Sequence, residues 1–142
     1  MLTKEEIKTY WSQTYNKEGK PDWSHILPFY DQSIVFQDSI QTIKGFENFE
    51  NMCKRLTKRS KSLHMEIVTI MQEENIVLME WIMTIAFRRN PSSHMYGTSK
   101  LTFNEEGKII HQRDYYDLWG DIYDNIPGWR RFYRWFMRKV FG

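Results

Sequence analysis

The stretch HQRDYYDLW, residues 111–119, sets two carboxylates among aromatic side chains directly behind a run of strand-forming residues. A carboxyl group held against Trp, Tyr and Met loses hydration, which disfavours its charged form. Its pKa then rises toward neutrality, where a carboxyl can both give and take a proton. Side chains two apart share a strand face, so Asp114 and Asp117, three apart, point to opposite sides. One register holds Ile110, Gln112, Asp114, Tyr116 and Leu118; the other holds His111, Arg113, Tyr115 and Asp117. The first is more apolar at its ends and is expected to face inward. Asp114 would then line a cavity. The alternative is a structural ion pair between Asp114 and a basic side chain on a neighbouring strand.

The same parity argues against a metal centre. His111 and Asp114 face opposite sides, and His25, His64 and His94 are scattered without ligand spacing. No metal and no cofactor is expected. Cys53 stands alone, which excludes an intrachain disulfide framework and fits a reducing compartment. The N-terminus MLTKEEIKTY has no apolar signal region, and the longest apolar run, IVLMEWIMTIAF, is broken by Glu80 and too short for a spanning helix. A cytoplasmic protein, peripheral at most to a membrane, is expected. A chain of 142 residues reads as one domain with a core large enough to fold without staples. Its 16% aromatic content and eight methionines supply bulky apolar matter for a lined cavity.

The elements that must position these residues follow from periodicity. Thr3 and Glu6 form a capping box, and Ile7, Tyr10, Trp11, Thr14 and Tyr15 follow at helical spacing. Asp22 is placed to cap a second helix, which Pro28 shortens or kinks. SIVFQDSI reads as a short strand, and Gly45 opens a third helix carrying Phe49, Met52, Cys53 and Leu56. Its basic exit, KRLTKRSK, reads as a solvated face; nucleic-acid binding is not expected. Four extended segments follow: LHMEIVTIM, NIVLMEWIMTIAFRR, HMYGTSKLTF and IIHQRDYYDLW, the last two joined by an NEEGK turn. Short turns between consecutive strands favour an antiparallel meander, so the class is α+β.

This order resembles the nuclear-transport-factor-2-like superfamily. PFYDQSIVFQDSIQTIKGFENF resembles its pattern of an aromatic, an acidic turn, a strand ending in Asp and a Gly that opens a helix. SKLTFNEEGKIIHQRDYYD resembles its paired strands around an acidic-Gly turn. The likeness spans roughly residues 4–126 and is nearest to SnoaL-like proteins and to limonene-epoxide hydrolase. It implies a cone: N-terminal helices closing a strongly curved antiparallel or mixed sheet, with a pocket at the open end and a dimer formed through the sheet.

The resemblance also implies roles. The first Asp of the last strand is the pocket carboxylate in the epoxide hydrolase, which matches Asp114. In ketosteroid isomerases the position matching Asp38 shuttles a proton; the alternative for Asp38 is a strand-end aspartate accepting turn amides. Departures are as informative. The isomerase's neutral acid matches Ser99 here, and its oxyanion tyrosine falls near Trp11 or Tyr15. The epoxide hydrolase's Arg and Asp match Trp81 and Met83, which can neither polarise water nor donate to an epoxide oxygen, so that mechanism is not expected. The pocket residues implied are Tyr30, Trp81, Met83, Ser99 and Tyr116, with Asp38 and Asp114 as acid or base. They suit a mostly apolar small molecule with one or two polar groups. Two readings stay open. One is an enzyme of isomerase-like, cyclase-like or hydrolase-like acid–base chemistry. The other is a non-catalytic module that holds an apolar ligand or a protein partner.

Residues 127–142 stand apart from the domain at 1–126. From Gly128 to Gly142 there are five basic residues and no acidic one, leaving the rest of the chain net acidic. Trp129, Phe132, Tyr133, Phe136, Met137 and Val140 form one helical stripe; Arg130, Arg131, Arg134 and Arg138 fall opposite. The helix is expected either to pack on the domain or a second subunit, or to contact an anionic membrane surface through residues 129–141.

Overall fold

The computed structural model describes residues 1–87, 92–122 and 126–142. Its helices are α1 (Lys4–Ser12), α2 (Phe46–Arg59) and α3 (Trp129–Phe141), with a 3₁₀ helix at Ser24–Phe29 and a π-helical turn at Leu118–Ile122. Its strands are β1 (Tyr30–Gln37), β2 (Thr42–Lys44), β3 (Ser60–Glu73), β4 (Ile76–Phe87), β5 (Ser93–Phe103) and β6 (Ile109–Tyr116). They form one curled, unclosed sheet in the order β2-β1-β6-β5-β4-β3. The β1–β6 pair is parallel and the others are antiparallel. This is the expected α+β cone.

Local chemistry accounts for the elements. The capping box at α1 is complete: Thr3 Oγ1 accepts the Glu6 amide at 3.2 Å, and the Glu6 carboxylate accepts the Thr3 amide at 2.8 Å. The helix stops at Ser12, so Thr14 and Tyr15 lie beyond it, and Tyr15 bridges back to Pro21. Asp22 accepts the Ser24 amide at 2.8 Å, and the second helix, with Pro28 inside it, is a short 3₁₀ segment. The Asn104–Lys108 turn joins β5 to β6 through Gly107, whose φ of 77° suits a residue without a Cβ. The first strand starts at Tyr30, earlier than SIVFQDSI suggests, and β2 has no signature of its own in the sequence. Arg88 and Arg89, at the end of the extended segment NIVLMEWIMTIAFRR, lie outside the described residues.

One face of the sheet is the core. Val77, Met79, Trp81, Met83 and Ile85 are buried at every second position of β4; Leu63, Met65 and Ile67 repeat this on β3, and Met95, Ser99, Leu101 and Phe103 on β5. Ile7 and Trp11 of α1 and Phe49 and Cys53 of α2 cover that face. Each fully buried aliphatic or aromatic side chain contributes about 1.5–3 kcal/mol. Register irregularities in β1, β3 and at the start of β6 bend the strands around this core.

The irregularity in β6 corrects one expectation. Pairing runs from Thr102↔His111 to Phe103↔Ile109, so Ile110 is the extra residue and Ile109, not Ile110, is fully buried. Beyond the bulge the expected parity holds from Gln112 to Tyr116. Leu118 falls in the π-helical turn, past the strand.

None of the residues of α3 is buried. Its first turn touches the body through Trp129, whose ring lies 5.3 Å from that of Trp119. No described helix is long and apolar enough to cross a membrane.

Candidate functional site

Three neighbouring strands bring the polar residues of the inner face into one row. The register pairs Met79 with Ser99 and Ser99 with Asp114; one step along, it pairs Trp81 with Gly97 and Gly97 with Tyr116. Gly97 is the reason the second row closes. A Cβ there would collide with the Trp81 indole, so only glycine lets the ring lie across β5 toward Tyr116, with ring centroids 6.3 Å apart.

Asp114 is the hub. Its Oδ1 accepts the Ser99 hydroxyl at 2.6 Å and the Gln112 amide at 2.9 Å. Trp81 Nε1 donates to Ser99 Oγ at 2.9 Å, and the Tyr30 hydroxyl donates to Gln112 Oε1 at 2.6 Å. Both outer members are buried aromatics, and Ser99 and Gln112 are buried with them. No described residue donates to Asp114 Oδ2, and no described basic side chain pairs with Asp114. The chain of donors therefore fixes one oxygen and leaves the other open at a partly exposed position.

Burial pushes the Asp114 carboxyl up to about 6. The Ser99 and Gln112 hydrogen bonds oppose the shift by favouring the anion, and the charge of Asp38 adds to it. Burial also raises the Tyr30 phenol and carries the Cys53 thiol up to about 12, so neither is an ionised nucleophile near neutrality. α2 holds Phe49 against Tyr30, ring centroids 4.5 Å apart, and closes this side of the site.

Asp38 sits at the end of β1. Its Oδ1 accepts the amides of Ile40 and Gln41, both at 2.8 Å, and its Oδ2 accepts the Tyr116 hydroxyl at 3.1 Å. The residue is at once a turn acceptor and a partner of the inner-face tyrosine. The Tyr116 phenol is raised, by burial first and also by the charge of Asp38.

Of the residues singled out from sequence, Tyr30, Trp81, Ser99, Tyr116, Asp38 and Asp114 thus fall on one polar strip. Met83 does not join it. It lies opposite Met65 and Met95, all three buried, in the apolar core. Sequence reasoning missed two members. Gln112 carried a signal, since it shares Asp114's parity two positions earlier. Gly97 also carried one, as a glycine inside a strand pattern. Among the described residues no three His, Cys, Asp or Glu side chains converge on a point that would hold a metal ion.

Comparison with known structures agrees with this architecture. A ketosteroid isomerase-like-fold protein from Catenulispora acidiphila DSM 44928, in complex with trimethylamine, superposes with a TM-score of 0.69 at 19% identity, over 82% of this chain and 89% of that one. A SnoaL-like protein from Jannaschia sp. CCS1 gives 0.64 at 17% identity, over 75% and 79%. An epoxide hydrolase of the limonene-epoxide-hydrolase-like type from M. tuberculosis gives 0.59 at 17% identity, over 81% and 82%. At these identities the likeness establishes the nuclear-transport-factor-2-like, SnoaL-like fold. No curated protein matches the sequence. A sequence profile does: it covers residues 4–112, from the first helix to the glutamine that holds Asp114. The chain therefore belongs to the family of uncharacterized conserved proteins DUF2358.

Proposed function

We propose that this protein binds a mostly apolar small molecule at the Asp114 strip and moves a proton on it, in an isomerase-like, cyclase-like or hydrolase-like step. One observation carries the reading: Asp114 has one oxygen tied to Ser99 and Gln112 and the other unengaged, with burial pushing the group up to about 6. A carboxyl with that affinity takes a proton readily near neutral pH and can return it, which is the property general acid–base catalysis needs. Trp81 and Tyr116 supply the apolar walls, and the Tyr116 hydroxyl, which donates to Asp38 Oδ2, presents its oxygen as an acceptor to a polar group on the ligand. The resemblance to the epoxide hydrolase sets Trp81 and Met83 where that enzyme has its Arg and Asp, which supports a chemistry other than epoxide opening.

A non-catalytic binding module is the second reading. It is favoured by the two backbone amides that tie Asp38 into a turn, which leaves a single carboxyl for proton transfer rather than a pair.

Native mass spectrometry of the purified protein tests the first reading. A co-purified apolar molecule is expected, and it is expected to be converted to an isomer or hydrate by the wild type but not by Asp114→Asn. A ligand that the wild type retains unchanged supports the binding module instead. The absence of any ligand in both, across lysates and an apolar compound panel, overturns both readings.

A further inference from the structure

We propose that α3 is a docking helix for the surface of a bilayer containing anionic phospholipid. The argument is independent of the Asp114 site. A helix of 13 residues, about 20 Å long at the usual rise, exposes members of its aromatic stripe: Phe132, Phe136 and Val140 are 46–55% accessible, and Trp135 beside the stripe 57%. The stripe is already ordered along the helix, since Phe132 stacks on Phe136 at 6.2 Å and Trp129 stacks on Tyr133 at the same separation. An apolar face of this size on a soluble surface calls for a partner.

Charge identifies the partner. Every ionisable side chain of α3 other than Tyr133 is basic, and Arg130, Arg131, Arg134 and Arg138 line one open groove with Trp135. The body of the protein is net acidic, and among the described residues the helix meets it by a ring contact at the first turn, Trp129 on Trp119. A second copy of α3 would crowd basic side chains along both edges of the stripe with no carboxylate among them. A nucleic acid would take the arginines and leave the aromatics in water. The headgroup region of an anionic bilayer satisfies both halves together, with aromatics at the acyl boundary and guanidinium groups on phosphates. Lys139, held 5.3 Å over the Trp135 ring, sits at the border between the two faces, where a long cationic side chain reaches outward to the headgroups.

The test is flotation of the full chain with vesicles of phosphatidylcholine alone or mixed with phosphatidylglycerol, with light scattering to follow oligomeric state. Flotation is expected with the mixed vesicles and not with the neutral ones. It is expected to fade at about 1 M salt, where the screening length falls to about 3 Å. Arg131→Gln with Arg138→Gln should lower partitioning about 30-fold, since each basic residue near an anionic surface contributes roughly a factor of five. Phe132→Ser with Phe136→Ser should abolish it while the thermal melt of the body is unchanged. No flotation with either vesicle overturns the proposal. So does equal flotation with both vesicles that the arginine changes leave untouched. So does a stripe variant that shifts a dimer to a monomer in a protein that ignores vesicles.

Discussion

The Ser99 hydroxyl donates to Asp114 Oδ1 at 2.6 Å across the β5–β6 pair, and the same oxygen of Ser99 receives the Trp81 indole N–H at 2.9 Å. Ser99 therefore relays an aromatic donor on β4 to a carboxylate on β6. A hydrogen bond to the anion favours ionisation, so the relay moderates what burial does to Asp114. Ser99→Ala should raise the Asp114 pKa above its wild-type value. It should also leave the buried Trp81 N–H without its acceptor, at a cost of about 1–3 kcal/mol. A denaturant melt reads the stability change, and the pH midpoint of ligand binding reads the pKa.

Asp114→Asn separates function from stability. With no described basic side chain paired to Asp114, the substitution uncovers no buried charge. The substitution should lower stability by no more than about 1 kcal/mol, whereas breaking a buried ion pair costs about 3–5 kcal/mol. Loss of a general acid or base should lower turnover about 10²–10⁴-fold. A large loss of stability with unchanged ligand binding would make Asp114 a structural residue.

The raised pKa has a definite sign in the pH dependence of stability. Asp114 holds its proton longer in the native state than in the unfolded chain, so between about pH 4 and about pH 6 the native state binds more protons. Its contribution is complete below about pH 4 and is lost as pH rises through 6, amounting to about 2 kcal/mol after allowance for solvent screening at a partly exposed site. Asp114→Asn removes this slope. The Tm difference between variant and wild type should shift in the variant's favour between about pH 4 and about pH 7. A constant difference would mean that Asp114 titrates alike in both states.

Gly97→Ala should disturb the site without touching a polar atom. The new Cβ meets the Trp81 indole, which must turn away from Tyr116 and from Ser99. Overpacking of this kind costs about 1–3 kcal/mol. Denaturant unfolding and ligand titration of one variant should therefore both weaken, and a crystal structure should show the indole displaced. An undisplaced Trp81 would remove Gly97 from the description of the site.

Much of this was legible in the sequence because period and parity are local properties. The capping box, the Pro-limited second helix, the helix opened by Gly45 and the inward parity of Gln112 through Tyr116 all follow from neighbours along the chain. What was not legible depends on pairing. Ile110 gave way to Ile109 because the bulge opposite Thr102 and Phe103 inserts a residue that alternation cannot reveal. β2 is three residues long and exists by pairing with β1. The role of Gly97 requires knowing that Trp81 lies directly across from it. Met83 has the right parity but lies two residues farther along β4 than Trp81, level with Met65 and Met95, so its apolar character serves the core.

Carboxyl-resolved NMR titration of Asp114 in the full-length protein, assigned with Asp114→Asn, is the most direct measurement of the proton-transfer reading. Asp114 is expected to titrate near 6, and to titrate lower in Asp38→Asn, where a neighbouring negative charge is gone. An Asp114 resonance that titrates in the ordinary aspartate range, indifferent to Asp38, would contradict the assignment of this carboxyl as the acid or base of the site.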